Sequence, residues 1–168
     1  SFKIYLPGVE EPTAAPAVDA PSSPFRLSEM GVEHYLINAA VIGIIAQRII
    51  RKNCPFCSRD DRPGEDVLKE YQIHELSEKY SSILKGTPTF KRGEGCPKCA
   101  KTGYRGRTAI FELFEYTDEL KEVFLRKQSL ESLRATLRSN KDFRTLREDG
   151  MVKVVKGITT VEEVLRVC

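Results

Sequence analysis

No apolar run in this 168-residue chain approaches the ~18 residues that would carry a helix across a bilayer. The longest candidate, Ala39–Ala46 (AAVIGIIA), is ended by Gln47 and Arg48. There is no secretory signal, with its charged start, apolar middle and small-residue cleavage site. The net charge of +3 is too small to argue for nucleic acid by itself. No internal repeat is visible, and histidine, the usual acid–base residue, occurs twice, as His34 and His74. Both read as surface or capping residues. The first residue is Ser1 rather than Met, as expected of a piece of a longer protein.

What is present is concentrated in cysteine. Hydrophobic residues make up 40% and charged residues 30%, enough for one ordinary domain or two small ones with a heavily charged surface. Four of the five cysteines fall in CPFC (Cys54, Cys57) and CPKC (Cys96, Cys99). Two cysteines three apart are poorly placed to bridge each other, but both can point at one ion. In a reducing cytosol, metal is favoured over disulfides. Two such turns close a tetrahedral shell around one Zn²⁺, and four protein ligands leave no open position for water, so the expected role is structural. The −2 charge of a zinc–tetrathiolate has Lys52, Arg59, Lys98, Lys101, Arg105 and Arg107 close in sequence to offset it. Iron in a rubredoxin-like site and a redox-active C-x-x-C are the rivals. Ser58 and Ala100 stand where the iron sites usually have glycine, and nothing around either pair suggests a thioredoxin unit. Cys168 reads as a free terminal thiol.

The pattern along the chain is α+β, mainly α. Residues 1–24 read as a linker or an unrelated tail: SFKIYL alternates like a strand, and PGVEEPTAAPAVDAPSSP has linker composition. Glu33–Val41 predicts a helix with Leu36 and Ala40 on one face, Gly43 a break, and IIAQRIIRKN a strand running into Cys54. Ile73, Leu76, Tyr80 and Ile83 recur at helical spacing. TPTFKRGEG and RTAIFELFEY predict two strands with the second cysteine pair at the tip of their hairpin. Three helical faces follow: Leu120, Val123 and Phe124; Leu130, Leu133 and Leu137; and Leu146, Met151, Val154 and Val155, stopped by Gly157. Thr160 and Glu163 predict a capping box before a short last helix. SRDDRPGED holds too little apolar material for a core, so metal rather than burial is expected to close the loop between the cysteine pairs.

The strings AQRIIRKNCPFC, GCPKCAKTGYRGRTAIFEL and DGMVKVVKGITTVEEVLRV closely resemble the C-terminal part of the ATPases that drive type II secretion and type IV pilus assembly. The match covers roughly Asp19 to Val167. SFKIYLP, by contrast, resembles the last strand of a histidine-kinase ATP-binding domain over seven residues only, and a generic edge strand is the alternative. The ATPase resemblance implies a parent that hydrolyses ATP with Mg²⁺ as a cytoplasmic hexamer, peripheral to the inner membrane, and passes its motion to a secretion or pilus platform there. The parent's phosphate-binding loop, G-x-x-x-x-G-K-[ST], does not occur in these residues, so no catalytic residue is carried over. What is carried over is the tetracysteine site, Cys54, Cys57, Cys96 and Cys99.

The expected organisation is therefore the end of a nucleotide-binding core at 25–53, a small zinc-clamped β-hairpin subdomain at 54–107, and a C-terminal strand and helical subdomain at 108–168. Its expected role is structural and coupling, with neighbours in the hexamer and the platform as partners and no nucleic acid. The alternative is a zinc-ribbon nucleic-acid-binding module using Tyr104 and the basic cluster.

Overall fold

The computed structural model describes residues 24–168 except 82, 83, 85–87, 127–129, 141 and 142. The expected N-terminal strand and linker, and Ile83, lie outside the described residues. The fold is a mixture of helix and strand. In chain order it runs α1 (Pro24–Glu29), α2 (His34–Ala40), β1 (Gly43–Asn53), β2 (Ser58–Asp60), α3 (Glu65–Glu70), α4 (Ile73–Lys79), β3 (Lys91–Gly93), β4 (Tyr104–Glu115), α5 (Asp118–Leu125), α6 (Leu130–Ser139), α7 (Leu146–Val155) and α8 (Val161–Leu165). None of the described helices is long and apolar enough to cross a membrane.

Contacts divide the chain into two compact units. The first contains 24–46 and Glu112–Phe143. Its core is Ile37, Phe114, Tyr116, Leu120, Phe124, Leu137 and Phe143. Leu120 and Phe124 are four apart, so α5 presents both to this core on one stripe, and Asp118 and Glu119 favour its first turn. Aromatic edges fill the space: Phe114 meets Phe143 at 6.3 Å and Tyr116 meets Phe124 at 6.4 Å, both T-shaped. The Tyr116 hydroxyl donates to Asn38 Oδ1 at 2.8 Å, so its polar end is satisfied. The buried face of α2 runs through Ile37, not through the expected Leu36 and Ala40, which are exposed. His34 is half-buried rather than on the surface, with its ring edge-on to Phe124 at 4.8 Å.

The second unit contains Gln47–Phe111 and Arg144–Cys168. Leu68 and Ile73 of the segment between the cysteine pairs are buried with Met151, Val154, Val155, Val161 and Val164. This corrects the expectation that the segment lacks a core. It has few apolar residues of its own, but α3 and α4 share those of α7 and α8, so α7 and α8 group with 47–111 rather than with α5 and α6. Gly150 makes the α7–α8 contact close: a Cβ there would lie 2.5 Å from Val164 Cγ1. Gly150→Ala is expected to lower stability by about 1–3 kcal/mol through overpacking, against the ~1 kcal/mol that alanine gains in helix propensity. A denaturation midpoint that stays put or rises would show that Val164 yields.

The expected hairpin around the second cysteine pair is not formed. β3 pairs antiparallel with β2 (Ser58↔Gly93, Arg59↔Arg92, Asp60↔Lys91), and β4 pairs with β1. Hydrogen bonds from Tyr116 N–H to Ile42 O and from Cys54 N–H to Gly103 O bracket β1 and β4 and run them antiparallel. Each cysteine turn therefore joins a strand of one pair to a strand of the other. Where the turns meet, a Cβ on Gly103 would lie 2.3 Å from Gly93 O, and Gly103 has φ +76°. Only glycine fits that approach and that backbone. The reciprocal capping box is at Thr145 and Glu148, whereas Thr160 receives the Glu163 N–H but Glu163 points elsewhere.

Candidate metal centre

The first turn leaves β1, the second follows β3, and each is fastened to the strand beside the other. Cys54 N–H donates to Gly103 O at 2.8 Å, and Glu94 N–H donates to Cys57 O at 3.1 Å. Asn53 holds the base: its backbone N–H bonds Ile158 O at 2.8 Å, and its Nδ2 bonds Lys91 O at 2.7 Å and Gly157 O at 3.1 Å. Within the second turn Pro97–Cys99 is a single 3₁₀ turn, with Lys101 N–H returning to Cys96 O at 2.9 Å. Ala100 and Lys101 are left-handed, at φ +49° and +59°.

These turns bring Cys54, Cys57, Cys96 and Cys99 together, with all four Sγ atoms within 4.8 Å of one another. Cys54, Cys57 and Cys99 are buried and Cys96 is half-buried. The separations are 3.9 Å for Cys54–Cys96, 3.9 Å for Cys57–Cys99 and 3.8 Å for Cys96–Cys99. A disulfide would need about 2.05 Å. A tetrahedron of sulfurs about 2.3 Å from a central ion has edges of about 3.8 Å. The four thiols thus suit a metal ion, and the donor set is soft, as zinc or iron prefers.

Backbone amides are aimed at the sulfurs. Cys96 N–H donates to Cys99 Sγ at 3.1 Å, and Gly95 N–H donates to Cys57 Sγ at 3.3 Å. The Cys96 amide first, with help from the neighbouring groups, lowers the Cys99 thiol to about 6. Burial raises the Cys57 thiol to about 12. One sulfur of the cluster is thus readily ionised, while another resists carrying charge as long as nothing positive lies among the four.

The basic residues are distributed less simply than their sequence proximity suggests. Lys98 Nζ lies 3.9 Å from the Phe56 ring centroid and Arg105 Cζ lies 5.3 Å from it. Arg105 Nη1 also donates to Lys98 O at 2.7 Å, and Arg59 pairs with Glu94 at 3.3 Å. Tyr104 is used internally: its hydroxyl is 2.7 Å from Thr160 Oγ1, and the Arg51 guanidinium sits 4.3 Å over its ring. His74 is exposed, 3.6 Å from Glu65, and Cys168 is exposed and forms no disulfide.

A second charged centre was missed by the sequence reading. The fully buried Glu163 side chain receives the Arg51 backbone N–H at 2.9 Å and the guanidinium groups of Arg51 at 2.6 Å and Arg166 at 2.7 Å. Beside it a cleft of about 290 Å³ is lined by Ile49, Ile50, Arg51, Arg107 and Arg166. Arg166, three residues after Glu163, was a legible i,i+3 partner; Arg51 lies 112 positions away and was not.

Paired cysteine turns that join two strand pairs, braced by a small helical core, define a mixed α/β protein with a candidate structural metal centre. By sequence it belongs to the type II/IV secretion system protein family, whose model matches residues 13–166. It is 39% identical over 147 residues to the type IV pilus assembly ATPase PilB of Thermus thermophilus, covering 88% of this chain and 16% of that protein. It is 37% identical over 142 residues to the type II secretion system ATPase E of Vibrio cholerae, covering 84% of this chain and 26% of that protein. The type II secretion system protein E of Pseudomonas aeruginosa is 34% identical, with the same coverage. The chain thus spans a quarter or less, to within a percentage point, of these relatives.

Proposed function

We propose that this chain is the zinc-binding C-terminal region of a cytoplasmic motor that hydrolyses ATP to power type II secretion or type IV pilus assembly. The observation that carries the reading is the four-sulfur cluster within a family match of residues 13–166. Cys54, Cys57, Cys96 and Cys99 hold one Zn²⁺, which fixes the turns rather than taking part in chemistry. ATP and Mg²⁺ belong to the remainder of the parent protein, and the cysteine-braced unit couples that remainder to its hexamer neighbours and to platform proteins at the inner membrane. The inward use of Tyr104 by Thr160 and Arg51 favours this over a nucleic-acid module, which would present its aromatics as stacking platforms.

Two measurements test the reading. Elemental analysis of purified chain is expected to give one zinc per chain; iron, or no metal, would overturn the assignment. In cells, Cys54→Ser with Cys99→Ser in the parent protein is expected to abolish export or pilus assembly while the parent still accumulates. Undiminished export or piliation would remove the coupling role.

The isolated chain is expected neither to bind ATP tightly nor to hydrolyse it. It has no phosphate loop to supply the amide cradle, the phosphate lysine and the Mg²⁺-binding hydroxyl. Phosphate release by pure chain, proportional to its concentration and unchanged by further purification, would contradict this.

A further inference from the structure

At the apex of the first cysteine turn, Phe56 is 55% exposed. It sits between two buried ligand candidates, so the ring is held outward by its neighbours rather than by chance of a loose loop. The Lys98 ammonium lies over its face and the Arg105 guanidinium stands beside it. Arg105 is tied to the second turn through Lys98 O, and the exposed Lys101 follows two residues after Cys99. Segments 52–59 and 94–107 carry six basic residues and one acid, Glu94, and that acid is paired with Arg59. Even a −2 charge on a zinc–tetrathiolate leaves the two segments net positive.

We infer that these turns form a docking tip for an anionic lipid surface, with Phe56 entering the headgroup boundary and Lys98, Lys101 and Arg105 meeting the phosphates. A bilayer demands no shape complementarity, so one outward aromatic with flanking cations suffices, whereas a peptide wants a groove and a nucleic-acid strand wants successive free ring faces. The face of Phe56 beneath Lys98 is already taken, while lipid insertion still has the ring's edge to use. Cations already gathered around the ring then add their attraction for lipid phosphate to the ring's burial.

The inference rests on the proposed metal closure of the turns, so vesicle binding is measured on chain of known zinc content. Chain holding one zinc is expected to sediment with phosphatidylglycerol-containing vesicles and not with pure phosphatidylcholine, and to dissociate as salt is raised. Lys98→Gln with Arg105→Gln is expected to weaken binding about 25-fold, since each basic residue near such a surface is worth about fivefold. The chain has no tryptophan, so Phe56→Trp provides a single reporter whose emission should shift to the blue on anionic vesicles alone. Both variants are checked for unchanged zinc content. No binding by zinc-loaded chain, equal binding to both lipids, an unaffected double variant or an unshifted emission would each overturn the tip. So would single-stranded DNA or an acidic peptide that binds more tightly than the vesicles and loses affinity with the same variants. A chain that holds no zinc at all would count against the metal centre instead.

Discussion

Cys99→Ser is expected to release the metal and unfasten both cysteine turns, with amide exchange rising sharply over 52–60 and 91–104. Structural zinc in small domains contributes on the order of 10–16 kcal/mol of apparent binding free energy at neutral pH, comparable to the ~5–15 kcal/mol stability of a whole domain. The four sulfurs sit in the two turns that join the β1–β4 pair to the β2–β3 pair, and Cys54, Cys57, Cys96 and Cys99 form a cluster of their own, apart from the aliphatic cores. Without an ion, three buried sulfurs would face one another with one thiol held down near 6 and another raised to about 12. The damage should be graded. Leu68 and Ile73 are packed with the valines of α7 and α8, so α3, α4, α7 and α8 should keep much of their protection, and the aromatic core around Phe124 should keep nearly all of its own. Hydrogen exchange on wild type, chelated wild type and Cys99→Ser measures this. Equal protection of 52–60 and 91–104 with and without metal would mean that hydrogen bonds such as Cys54 to Gly103 hold the turns unaided.

Glu163→Ala is expected to destabilise the second unit by about 1.5–3 kcal/mol, the usual worth of hydrogen bonds to a charged group. The side chain is fully buried, while Arg51 and Arg166 reach it from partly exposed positions. Its loss leaves two guanidinium groups and the Arg51 amide without their acceptor. Glu163→Gln should fall between wild type and Glu163→Ala, because it keeps the shape and one acceptor oxygen but not the charge. Urea midpoints measure both, and an unchanged midpoint for Glu163→Ala would show that the cluster is a bystander.

The same carboxylate sets an acid limit. Burial pushes Glu163 up, but hydrogen bonds from Arg166, from the Arg51 guanidinium and from the Arg51 amide outweigh it and leave the group at about 2. An unfolded glutamate titrates near 4.3. Because the folded value is the lower one, this contribution is complete above the unfolded value and is lost as pH falls from about 4.3 towards about 2. The stability difference between wild type and Glu163→Gln should therefore shrink over that interval and be flat between pH 6 and 8. A difference that persists unchanged to pH 2 would rule out the charge as its source.

The sequence by itself determined the four cysteines, the strand that feeds Cys54, the helical stretches around Phe124, Leu137 and Met151, and, through motif resemblance, the secretion ATPase family. These are local properties: C-P-x-C turns, β-branched bias, three-and-four spacing and short strings each declare themselves within a dozen residues. Tertiary structure decided which strand lies beside which. RTAIFELFEY and TPTFKRGEG follow one another closely enough to suggest a hairpin, yet β4 pairs with β1, which enters the first cysteine turn, and β3 pairs with β2, which leaves it, so the two turns face each other and their four sulfurs come to within 4.8 Å of one another. It also decided where the segment between the turns finds its core. Leu68 and Ile73 are too few to enclose themselves, and the valines that complete them arrive 81 to 96 residues later. Glu163 shows the limit most clearly. Its place after Thr160 announces a helix start, but its charge is met by Arg51, 112 residues earlier, and no periodicity or motif encodes a partner at that distance.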